Sequence, residues 1–251
     1  MKNIGKLVVL GAVLTASASF AFADTISLDS YGATGLSGTA FTGVGNSTTY
    51  VGAADLSTTT APSAPPPALS AFSSVGTESV NLNPETPTWN AALTGSSWVG
   101  INANAGPQST TNPKYGYYEF STTFSAAGGV YSGSLDVMAD DTVEVLLNGV
   151  LLPGAGFGAL GGDSHCADNE PTCFEQDVVS INGVSLNSGT NANTLTFIVE
   201  QAGVYSNTAQ DPSGLDYTAS LSSTPEPSSL LLLGTGLVGA AGLLFRRRLV
   251  A

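Results

Sequence analysis

Between Tyr117 and Ser222 the apolar residues of this chain recur at every second position, not at every third or fourth. In YYEFSTTF, Tyr118, Phe120, Thr122 and Phe124 fall on one face. The same spacing places Tyr131, Leu135, Val137 and Ala139 together, then Val143, Val145 and Leu147. Further on it groups Leu195, Phe197 and Val199, and finally Leu215, Tyr217, Ala219 and Leu221. A period of two is the mark of half-buried strands. Gly, Asn and Pro punctuate the gaps, and no window outside the termini reads as an amphipathic helix. Many short strands separated by turn signals predict an all-β fold, an antiparallel sandwich or barrel. Asn148-Gly149 predicts a type I′ hairpin turn, and Asp211-Pro212-Ser213-Gly214 predicts another turn.

The segment before this region is poor in charge and rich in Gly, Ser, Thr and Ala. Thr58 to Ser70, TTTAPSAPPPALS, cannot lie inside a sheet because proline lacks the ladder donor. It predicts a long loop. The residues before it are too few and too polar to fold alone, so they are expected to supply one or two strands, as around Thr25 to Tyr31. The body is therefore read as one domain, residues 24–224, with its best-supported core at 72–222.

The two ends are different. Residues 1–23 open with Lys2 and Lys6, continue with an apolar run from Leu7 to Leu14 and close on Ala21-Phe22-Ala23. That order predicts a secretory signal peptide cleaved after Ala23. Leu230 to Phe245 is apolar or small apart from Thr235, and Arg246, Arg247 and Arg248 follow it. As a helix it reaches about 24 Å at 1.5 Å per residue, short of a ~30 Å hydrocarbon core but able to span with flanking anchors. The arginines would stay on the cytoplasmic side and the body outside. Between these ends, eighteen Asp and Glu face Lys114 alone, a net charge of −17 against −13 for the whole chain. Such a surface repels phosphate backbones and argues against nucleic acid as a partner. It suits solubility outside the cell, divalent cations or neutral polymers.

Pro225-Glu226-Pro227, an apolar helix and a terminal arginine cluster, in that order, resemble the PEP-CTERM sorting signal. The resemblance covers Pro225 to Arg248, within a tail of residues 225–251. It implies an exported substrate of exosortase, delivered by the Sec machinery in a Gram-negative bacterium. Such a protein is held for a time in the inner membrane by the helix at 230–245, then passed to the cell surface or extracellular matrix. Flanking prolines would keep the cleavage segment extended and out of the helix. A second resemblance runs from Ser97 to Ser222. The strand pair around ADDTVEVLLNG and the late Pro-Ser-Gly-Leu turn look like a β-sandwich module of the galactose-binding, jelly-roll type found in exported PEP-CTERM proteins. Folds of this kind serve many functions through their loops, so the ligand does not follow.

Candidate chemistry concentrates in two places. Asp140-Asp141 ends one strand, and two adjacent carboxylates suit a hard cation such as Ca²⁺, which takes six to eight oxygens. The dipeptide and its strand resemble the paired Asp-Asp with which PA14-type adhesin lectins hold calcium and sugar. The competing reading is a turn cap followed by a solvated carboxylate. GGDSHCADNEPTC gathers Asp163, Asp168 and Glu170 beside Cys166 and Cys173. An exported chain with two cysteines predicts a disulfide, here closing an eight-residue loop worth about 2.5 kcal/mol of chain entropy. The loop is either a second calcium site or an exposed acidic loop, and it lacks EF-hand spacing. Zinc would need His165 and a carboxylate beside both thiols. Trp89 and Trp98 read by default as core packing or a strand edge, with stacking on sugar rings as the alternative.

Catalysis has little support. The single histidine lies in the cysteine loop, and no serine sits in a Gly-x-Ser-x-Gly elbow. The expectation is a non-catalytic, exported sandwich associated with exopolysaccharide or biofilm matrix, binding glycan or calcium. The alternatives are a purely structural surface protein and a secreted glycoside hydrolase.

Overall fold

A computed structural model describes residues 23–33, 48–62, 65–73, 75–84, 88–107, 112–160, 166–202 and 211–224, and short helical pieces between 234 and 242. Asp24–Ser223 form one compact unit, and the chain ends are divided from it. Of the chain ends, 234–236, 238, 239, 241 and 242 are helical. No helix among the described residues is long and apolar enough to cross a membrane. Residues 1–22 and most of 225–251, with the signal peptide, the Pro-Glu-Pro triplet and the arginines, lie outside the described residues.

The body is all-β. Its strands are β1 Thr25–Asp29, β2 Thr49–Ser57, β3 Thr77–Glu78, β4 Val80–Asn81, β5 Val99–Gly100 and β6 Tyr115–Ala126. They continue with β7 Gly129–Asp140, β8 Thr142–Leu147, β9 Val150–Leu151, β10 Asp177–Leu186, β11 Gly189–Gln201 and β12 Gly214–Ser223. One antiparallel sheet runs β10-β7-β12-β5-β4, with β1 also on β12; the other runs β3-β2-β6-β11-β8-β9. β5 and β1 share one edge of β12, β5 at Leu215 and β1 from Thr218 to Ser222. The only helical element among the body's described residues is a single 3-10 turn, Leu69–Ala71, beside the proline-rich loop.

The period-two sets meet between the sheets. Tyr118, Phe120 and Phe124 from β6, Val143 and Val145 from β8, and Leu195, Phe197 and Val199 from β11 face Tyr131, Leu135, Val137, Leu215 and Tyr217 across the sandwich. Phe197 and Tyr217 stack with centroids 4.2 Å apart. Each fully buried Val, Leu or Phe here contributes about 1.5–3 kcal/mol. Thr122, on the same face as Phe120, is buried too; its hydroxyl lies 2.6 Å from that of Tyr217. The hairpin at Asn148-Gly149 forms as read: both residues have positive φ, 52° and 79°, and Leu147 pairs with Val150. A two-residue loop with that backbone matches the strand twist.

Two features depart from the sequence reading, and a third decides between the alternatives it left for the tryptophans. β10 was not expected; its polar Ser180 and exposed Val178 blur the alternation, although Val179 and Ile181 point inward. Asp211-Pro212-Ser213 is not a surface turn but a buried lead into β12, with Asp211 1% exposed and the Ser213 N–H on the Ala105 carbonyl. The tryptophans are unavailable to sugar rings. Both are fully buried and stack on each other at 4.4 Å, forming with Met138, Cys166 and Cys173 a second small core on the outer face of the first sheet.

Candidate cation site at Asp140 and Asp141

β7 ends at Asp140 and β8 begins at Thr142, so the Asp-Asp pair makes the crossing from one sheet to the other. Alternation along β7 turns Val137 and Ala139 into the sandwich and Met138 and Asp140 onto the outer face. There Asp140 meets the tryptophan layer, and the Trp89 indole N–H donates to its Oδ2 at 2.5 Å. The peptide bond between Asp140 and Asp141 is cis. Asp141 donates its N–H to the Glu200 carbonyl, and its Oδ2 accepts the Ala202 N–H. Neither aspartate is exposed at all, so the reading of a turn cap and a solvated carboxylate does not describe this pair.

Two further polar residues close the same end of the sandwich, and the sequence did not signal either. Asp211 is buried, with its N–H on Asn112 Oδ1. The next residue but one, Ser213, donates its hydroxyl to the Asp140 carbonyl. Gln201 closes β11 immediately before Ala202, is fully buried, and neither atom of its carboxamide is hydrogen-bonded. A buried amide without partners costs about 1–3 kcal/mol, so a ligand oxygen or cation is a natural complement. Burial holds the Asp140 carboxyl well above the usual carboxylate range, and the charge of Asp211 pushes the same way. Hydrogen bonds from Trp89 and Asp141 oppose that shift.

The cysteine loop forms one wall. Cys166 and Cys173 are joined, Cα to Cα 5.6 Å, as the sequence predicted. Their sulfurs and an Asp140 carboxylate oxygen lie within 4.8 Å of one another. The carboxylate that a zinc site requires is therefore present, but the sulfurs are bonded to each other, and His165 lies outside the described residues. Asp168 and Glu170 are exposed on the loop, and Asp163 lies outside the described residues. Among the described residues, the group of three potential ligands is Asp140 with the two cysteines, and it includes none of Asp141, Asp168, Glu170 and Asp211.

The residue types at this end are those that suit a hard cation. Asp140, Asp141 and Asp211 would offer a cation only hard oxygen and Gln201 an amide oxygen, and a divalent cation would oppose the burial and, after it, the Asp211 charge that raise Asp140. A bound Ca²⁺ would supply charge neutralisation and vacant coordination positions able to take hydroxyl oxygens.

The fold defines an all-β module of two antiparallel sheets. Residues 223–248 match the PEP-CTERM protein-sorting motif. The chain carries this motif, which marks an exported protein, held transiently at the membrane and processed by exosortase. Comparison with curated proteins gives no match. Among solved structures, a PA14 sugar-binding domain from an RTX adhesin is similar at 13% identity with a TM-score of 0.23. That match covers 44% of this chain and about half, 49%, of the adhesin domain.

Proposed function

We propose that this is a non-catalytic surface or matrix protein whose sandwich, of the galactose-binding jelly-roll type, binds calcium at Asp140–Asp141 and presents that cation to glycan. The observation that carries the reading is that Asp140, Asp141 and Asp211 are all buried, and that Gln201, whose chain neighbours bond to Asp141, is buried with its amide unpartnered. Three carboxylates in a low-dielectric site repel one another, and a divalent cation reverses that balance. Vicinal sugar hydroxyls are suited to coordination positions that protein oxygens leave open. The net charge of −17 between the two ends supports the same preference for cations and neutral polymers over anionic partners. After release by exosortase the body would act in exopolysaccharide or biofilm matrix.

Calorimetric titration of Ca²⁺ into the full chain, with Asp141→Ala as control, tests the cation. Binding heat that disappears in the variant is expected, and no heat at millimolar Ca²⁺ ends the reading. A glycan array with calcium or with chelator tests the second half, with calcium-dependent signal expected.

A purely structural role is the second reading, favoured by the complete burial of both aspartates. In that case the titration gives no calcium heat and the array no glycan signal.

A further inference from the structure

The cysteine loop grips the Asp-Asp pair from both sides. The Ala139 N–H, just before Asp140, donates to the Thr172 carbonyl at 3.1 Å. The Asp141 carbonyl accepts the Ala167 N–H, also at 3.1 Å. Thr172 adjoins Cys173 and Ala167 adjoins Cys166. The two anchoring bonds therefore sit one residue inside each end of the disulfide. Joining the cysteines fixes the distance between those anchors, and with it the backbone that carries both carboxylates. The loop is fastened on its far side as well: the Asn90 N–H donates to the Cys173 carbonyl and its amide to Phe174. Asn90 directly follows Trp89, which holds Asp140. Carboxylate, tryptophan and bridge thus form one connected unit.

We propose that the Cys166–Cys173 disulfide is a redox lock on the cation site, positioning Asp140 and Asp141 for Ca²⁺ when closed and lowering the affinity when opened. This inference rests on the calcium reading above. Opening is a two-electron exchange with a small dithiol. The S–S bond breaks, each sulfur takes one hydrogen, and the dithiol closes to its own disulfide. Cys166 is 1% exposed and Cys173 not at all, so reductant reaches the bridge only when the loop lifts. Lifting the loop breaks the bonds to Ala139 and Asp141, and a cation that holds the pair opposes it. Linkage makes the effect reciprocal: if closure strengthens calcium binding, calcium must resist reduction by the same factor.

The experiment uses the full chain in mild detergent. Calcium affinity is measured for the oxidised protein, for protein reduced with dithiothreitol, and for the double variant Cys166→Ser, Cys173→Ser. A loss of roughly tenfold or more is expected in the last two, with the far-UV β spectrum retained. Independently, the wild-type chain is equilibrated in dithiothreitol redox buffers with saturating calcium or with chelator, and free thiols are counted. Calcium should move the midpoint by the same factor, about 30 mV for tenfold in a two-electron couple. Asp141→Asn should abolish that movement. Equal affinities in both redox states, or a midpoint indifferent to calcium, would overturn the lock and leave the calcium reading standing. Collapse of the β spectrum on reduction would also overturn it, since the bridge would then be a global staple. Absence of binding in either state overturns both.

Discussion

Trp89 donates its indole N–H to the carboxylate of Asp140, 51 residues away, at 2.5 Å with both residues fully buried. The ring also lies against Gly214, where a β-carbon would stand 2.6 Å from the indole. One side chain therefore ties the end of β7 to the start of β12. Trp89→Phe keeps much of the stacking on Trp98 but removes a donor from a buried carboxylate. The expected cost is about 1–3 kcal/mol. Urea denaturation should show a lower midpoint with an unchanged slope.

A second carboxylate pair sets a pH dependence. Asp216 accepts hydrogen bonds from the Ser30 and Ser96 hydroxyls and the Leu93 N–H, holding the tryptophan segment on the sheet. Burial, followed by the charge of Asp216, raises Asp29 from 3.8 to about 6. The folded state thus binds this proton more tightly than the unfolded chain does. Its stabilising contribution is fully present below about pH 4, declines between pH 4 and 6, and is gone above. Asp29→Asn should flatten stability across that window and raise it above pH 6, as read by thermal melts at fixed ionic strength.

In the middle of the sandwich the Tyr217 hydroxyl meets Thr122 at 2.6 Å, with Thr48 3.5 Å from both. Tyr217→Phe preserves the stack on Phe197 and leaves a buried Thr122 hydroxyl with a poorer partner. A loss of about 1–2 kcal/mol is expected in chemical denaturation. Thr122→Val in the same background should recover part of it, because the orphaned hydroxyl is then gone.

The tail makes a prediction independent of the body. In a host with exosortase, intact mass of the mature protein should be shorter than Met1–Ala251 at both ends. Replacing Pro225, Glu226 and Pro227 with alanine should leave the C-terminal residues attached. A mass unaffected by the replacement would separate processing from the triplet.

The sandwich interior was legible because its residues alternate, with a break only at Gly133: each of the five period-two sets is buried between the sheets. β10 escaped because Val178 is exposed and Gly183 bends the strand at a bulge between Ile181 and Val184, which breaks the period. The site was half legible. Two adjacent aspartates announce themselves, but whether they are solvated depends on what covers them. That cover comes from Trp89 and the cysteine loop, distant in sequence. Asp211 and Gln201 were missed for the same reason. Asp211 stood in a Pro-Ser-Gly context that imitates an exposed turn, and Gln201 ended a strand where a polar residue normally meets water. Nothing local marks either as buried.

The pairing of β1 with β12, Thr25 opposite Ser222, has a bearing on how the molecule is made. A chain threaded outward from its amino end delivers β1 first, yet the neighbour it must join arrives almost two hundred residues later. β5 and β7 wait for that same strand. An intermediate halted short of Gly214 would keep the bonds of Ser30 to Ala33 with Ser97 and β4, but β7 would have no link to them through the sheet. This half of the sandwich can therefore close only once the last strand has been delivered.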